Sequence, residues 1–105
     1  MSWDVILIKT NSNSEKMEEI TSENTILFDK AVVLQKLKSH LPELDCSDSE
    51  WLVFEEGGDS FEVNLATDEQ IMLHINELKD PDVFLAELCA LFGCRAFDTT
   101  TGAFM

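Results

Sequence analysis

Two periodicities alternate along this chain, and the points where one gives way to the other outline its elements. Trp3 to Thr10 is a continuous apolar run rich in β-branched residues. Its length fits a central strand buried on both faces better than a helix. Asn11 to Asn24 is polar, rich in Asn, Ser and Glu, and weakly patterned. It reads as a long loop with at most one helical turn around Lys16 to Ile20, and loops of that size are uncommon unless they do something. Asp29 then offers a carboxylate to the free N–H groups of a helix from Lys30 to His40. Val33, Leu34, Leu37 and Leu41 recur at helical spacing, with Lys36, Lys38 and Ser39 off that stripe. Pro42 disfavours continuation through Leu41, and Asp45 to Ser49 is an acidic loop.

A period of two takes over from Trp51. Trp51 to Glu55 and Phe61 to Leu65 read as a hairpin, with Gly57, Gly58 and Asp59 supplying the turn. In its second strand Phe61, Val63 and Leu65 share one face, and Glu62 and Asn64 the other. After a short acidic turn at Ala66 to Gln70, the segment Ile71 to Ile75 puts Ile71, Leu73 and Ile75 inward and Met72 and His74 outward. Asp80-Pro81-Asp82 starts a second helix by cap, ring constraint and dipole together. Phe84, Leu85, Leu88, Leu91 and Phe92 form its stripe, and Gly93 ends it. Arg95 to Asp98 reads as a last strand, Thr99 to Gly102 as a turn, and Ala103 to Met105 as a tail. The order β-α-β-β-β-α-β predicts an α+β fold: a single layer of mostly antiparallel sheet with two helices packed on one face.

Composition adds bounds. The 105 residues suit one domain, 1–105, and 45% hydrophobic residues with seven Phe and two Trp give it core material. No apolar run approaches the roughly 20 residues that span a bilayer. No basic residue precedes the first apolar stretch, so a secretory leader is not expected and the cytoplasm is the expected compartment. Cys46, Cys89 and Cys94 are an odd, sparse set, which reads as reduced thiols rather than a disulfide framework. Charge changes the picture most: seven Lys and Arg stand against 21 Asp and Glu, a net charge of −14. Between Lys38 and Lys79 there is no Lys or Arg, but there are eleven acids. Direct contact with nucleic acid or an anionic membrane is disfavoured by repulsion. A region so one-sided either keeps the protein in solution or matches a basic protein groove. Trp51 beside Glu50 favours the groove, since aromatic anchors ringed by charge are common in tight interfaces.

Catalytic and ligand chemistry has little local support. His40, His74 and the cysteines show no metal-ligand spacing, so no metal or cofactor is expected. Cys89 or Cys94 with His74 would make a nucleophile and base, but Cys89 lies near the apolar stripe, where a thiol is a small hydrophobe. Gly57-Gly58 is ringed by Glu55, Glu56 and Asp59, which would repel a phosphate. The run Asp98 to Gly102 lacks the lysine of a nucleotide loop. Asp45, Asp48 and Glu50 lack the spacing of a calcium loop.

Several stretches resemble small bacterial proteins of toxin–immunity loci. They are W-D-V-I-L-I at the start, P-E-L-D before Trp51, W-L-V-F with G-D-S-F-E-V-N-L (Trp51–Phe54 and Gly58–Leu65), I-M-L-H-I (Ile71–Ile75) and C-R-A-F-D-T-T-T-G-A-F (Cys94–Phe104). Together they cover most of the chain, and the Asn11–Asn24 loop is expanded relative to the pattern. The chain is similar in this to immunity proteins of contact-dependent growth inhibition and related polymorphic toxin systems. The resemblance implies a cytoplasmic, non-enzymatic inhibitor that binds the basic toxin domain, a nuclease, of a secreted effector. It fixes no binding residue. From charge and pattern, the expected contacts are Glu50, Glu55, Glu56, Asp59 and Glu62, then Asp68 and Glu69, with Trp51 and His74 as uncharged anchors. The readings weighed against it are an acidic structural or regulatory subunit and a small enzyme using His74 with a carboxylate.

Overall fold

A computed structural model describes Trp3 to Met105 and shows six strands and two helices in the order β1 (Trp3–Ile8), α1 (Lys30–His40), β2 (Trp51–Glu56), β3 (Asp59–Asn64), β4 (Ile71–Glu77), α2 (Pro81–Phe92), β5 (Arg95–Asp98) and β6 (Ala103–Phe104). The strands form one sheet in the order β2-β3-β4-β1-β5-β6. Every neighbouring pair is antiparallel. Because β4 and β5 flank β1 and both run against it, they are parallel to each other, and α2 is the crossover between them. The fold is α+β, a single sheet layer with the helices on one face.

That face holds the core. Val5 and Leu7 of β1, Leu52 of β2, Phe61 and Val63 of β3 and Leu73 and Ile75 of β4 meet Val33 and Leu37 of α1 and Leu85 and Leu88 of α2. Each fully buried side chain of this size contributes roughly 1.5–3 kcal/mol relative to exposure. The helix ends follow from their residues. Asp29 accepts from the backbone N–H groups of Ala31 at 3.0 Å and Val32 at 3.4 Å. Asp80 accepts from Val83 at 3.4 Å, with Pro81 in the first turn. Gly93 closes α2 in the left-handed conformation, φ 63°.

Three expectations need correction. β1 is central but not buried on both faces: Val5 and Leu7 are sealed beneath the helices, whereas Asp4 and Ile6 on the other face are only half-buried. Among the described residues no helix covers that second face, and only its Ile8 end is buried, so the apolar run reflects β-branched preference as much as two-sided burial. The strand also stops at Ile8, and Thr10 pairs instead with Thr25 in a lone bridge that closes the base of the 11–24 loop. Finally, the C-terminal tail contributes a strand: Ala103 and Phe104 pair with Asp98 and Phe97.

The 11–24 loop contains one 3-10 turn at Met17–Glu19 and is tied down by polar contacts. Asn13 Nδ2 donates to the Gly93 carbonyl at 3.0 Å, and Arg95 Nη2 donates to the Glu15 carbonyl at 2.8 Å. At the opposite edge, Asp45 N donates to Val53 O at 2.8 Å and Val53 N returns a bond to Asp45 O at 3.1 Å, a bridge against the outer side of β2. Among the described residues no helix is long and apolar enough to cross a membrane.

Candidate functional site

Register decides which side chains share the open face. Residues directly opposite in an antiparallel ladder point to the same side. Val53 faces Glu62, Glu62 faces His74, and His74 faces Asp4, so these four form one transverse row over β2, β3, β4 and β1. His74 is thus flanked by two carboxylates from neighbouring strands. Its Nδ1 lies 2.9 Å from Asp4 Oδ1. An ionised carboxylate only accepts, so Nδ1 is the donor in this bond.

Trp51 completes the cluster from the adjoining row. Its indole reaches across β3 to stack on His74, with ring centroids 5.2 Å apart and planes 19° apart. Its Nε1 donates to Glu62 Oε1 at 2.8 Å. The indole remains 39% exposed and Val53 beside it 37% exposed, high for large apolar residues held in a sheet. The cluster therefore presents a preorganised aromatic surface with a carboxylate on each side of the imidazole, the arrangement that suits a cationic side chain.

The nine expected contact residues fall into three groups. Trp51, Glu62 and His74 meet on the open face. Glu55, Glu56 and Asp59 line a shallow hollow at the hairpin tip, together with Glu77. Glu50 and Asp68 lie at the other end of β2, with Lys30 Nζ 3.4 Å from Glu50 and 4.0 Å from Asp68. Glu69 is exposed in the same turn as Asp68. Six residues of strand at about 3.3 Å each put roughly 20 Å between the two ends.

The long interval without bases in the sequence does not become a surface without bases. Lys30 folds onto one end. At the other, Lys79 lies beside Gly58, and its backbone N–H donates to Asp59 Oδ1 at 2.9 Å. Such exposed pairs are worth about 0–1 kcal/mol each, yet they dilute the negative potential where they sit. Among the described residues the flank formed by Glu62 and Asp4 has no such lysine contact.

Asp4 is the site residue that sequence reasoning missed. It lies 70 residues from His74 inside an apolar run, and an outward acid in a strand is unremarkable until the partner strand is known. A usable signal was present: one acid in an otherwise apolar strand marks the face that meets water. The remaining candidates sit elsewhere. His40 Nε2 pairs with Glu87 Oε2 at 3.2 Å, bridging the two helices. Cys46, Cys89 and Cys94 are free thiols. The neighbouring Cys94 thiol lowers the Cys89 pKa, and the Cys89 thiol together with burial raises that of Cys94. Among the described residues no group of three or more His, Cys, Asp or Glu is placed to hold a metal ion.

Compared with known proteins, the chain matches no family model, no curated protein and no solved structure.

Proposed function

We propose that this chain is a cytoplasmic immunity protein that binds and neutralises the basic nuclease domain of a delivered toxin. The observation that carries the reading is the Trp51–His74 stack, with His74 set between Glu62 and Asp4 on a sheet face that no helix covers. A nuclease has to present Lys and Arg to hold phosphates. Carboxylates fixed on a sheet occupy those positions without flexing, and the exposed but preordered aromatic pair supplies contact area at low entropic cost. The hairpin-tip acids Glu55, Glu56 and Asp59 add long-range attraction and a faster encounter. The resemblance to immunity proteins points the same way.

A small enzyme using His74 gains one supporting observation, the Asp4 bond that orients the ring. That dyad lies on an open face rather than in a cleft, where water weakens acid–base chemistry and a binding role remains effective. Co-expression tests the leading reading. On this reading a nuclease toxin domain is expected to be encoded beside this chain's gene, to stop growth alone and to be tolerated when this chain is present. Death in both cultures, or growth in both, overturns the proposal.

A further inference from the structure

We infer that the contact core of this interface is an apolar row crossing the whole sheet, and that its occupant is a basic protein surface with an apolar ridge edged by Arg or Lys. This deepens the proposed function and rests on it. The ladder pairs Trp51 with Asn64, Asn64 with Met72, Met72 with Ile6, Ile6 with Phe97 and Phe97 with Phe104. All six side chains therefore point to the open face, one from every strand, and only Asn64 interrupts their apolar character. At about 4.8 Å per strand the row is roughly 24 Å long. That length matches the span of a standard interface of about 800 Å² per partner. None of the six is fully buried.

The two sides of the row differ in charge, which fixes how an occupant lies. One side is the row of Glu62, His74 and Asp4. The other is Ile8 with Arg95, which face each other in the ladder. The Arg95 guanidinium is already engaged: it lies 3.9 Å over the Phe104 ring and donates to the Glu15 carbonyl at 2.8 Å. The 11–24 loop thus closes that side, and Ile8 is buried there although it points away from the helices. A partner's cations meet carboxylates on the free side, and its apolar ridge fills the row. A second copy of this chain fits poorly, since it carries the same net charge of −14.

The test is a binding titration between this chain and the catalytically inactivated toxin domain encoded beside it. Trp51→Ala is expected to weaken affinity by at least about thirtyfold, the effect of losing the large aromatic anchor that ties the row to the carboxylate flank. Met72→Ala and Phe97→Ala are expected to cost about fivefold each. Val32→Ala and Val83→Ala, on exposed helix positions, are expected to stay within about twofold. Radical footprinting of the wild-type complex is expected to protect Trp51 and Met72, a readout that does not depend on any variant folding. Absence of wild-type binding overturns the functional reading and this inference with it. Binding that is indifferent to the row variants, with Trp51 and Met72 still labelled, overturns this inference alone. Loss of affinity on the helix face, or wild-type dimers that Trp51→Ala dissolves, also overturns it.

Discussion

Single side chains set the acid response of this molecule. Asp98 is held below the usual carboxylate range chiefly by the Trp3 indole N–H at 2.8 Å, with help from the Thr100 backbone N–H. Glu15 is held down at about 2, first by the Ser12 hydroxyl and then by that of Thr10. Both folded values lie below the unfolded ones. Each group therefore contributes stability that is present above about pH 4.5 and lost as pH falls through its folded value. Acidification also relieves repulsion among the many carboxylates, so the informative quantity is a difference between proteins. Urea midpoints compared at pH 5 and pH 3 are expected to fall less for Glu15→Gln than for the wild type. Equal falls would remove Glu15 as an acid-sensitive tie. At this scale the sequence was only partly readable. The caps Asp29 and Asp80 announce themselves because they act within three residues. Trp51, Glu62, His74 and Asp4 meet only once three strand pairings are known.

Local turn chemistry governs the elements. Gly57 and Gly58 have φ of 64° and 90°, as a two-residue turn between twisted strands requires. A Cβ at Gly58 would come within 2.7 Å of Lys79 Cε, whereas at Gly57 it would meet open space. Gly58→Ala is expected to destabilise by about 1–2 kcal/mol, chiefly because alanine is strained at that positive φ while the flexible Lys79 chain end can move aside, and Gly57→Asn by much less, since Asn tolerates its conformation. Chemical denaturation of the two variants checks the order, and equal losses would contradict it. The hairpin and both helices were legible because glycine, proline and capping acids punctuate them. β6 was not, because two residues carry no periodicity and pair only by virtue of the Thr99–Gly102 turn, where Gly102 N donates to Asp98 O at 2.8 Å. The end of β1 was missed for a related reason: Thr10 looks like strand but bonds to a residue across a loop.

For the whole molecule the decisive property is asymmetry between the two faces of one sheet. Helices seal one face, and the other presents an apolar row with acids alongside. The mostly antiparallel single layer and its one covered face followed from the element sequence, but the strand order did not, and the coincidence of Trp51, Met72, Ile6, Phe97 and Phe104 in one line depends on registers that no local pattern encodes. Charge acts at this scale too. With a net charge of −14, capture of a basic domain is expected to approach an association rate of about 10⁸ M⁻¹s⁻¹ at low salt. Between 50 and 500 mM salt the rate is expected to drop at least tenfold while dissociation changes little, measurable by stopped-flow Trp fluorescence. A rate indifferent to salt would mean that the acids serve solubility alone.

The bridge between Asp45 and Val53 has a bearing on how any of this is reached. A bare outer strand is a template on which another chain can polymerise, or a visitor can lengthen the sheet by one ribbon. Here the chain spends its own loop to occupy that template midway along β2, so a newcomer finds no continuous ladder to extend there. Pairing edge to edge through the middle of β2 is thereby obstructed, and the proposed partner is expected to lie flat against the open face rather than to lengthen the sheet here.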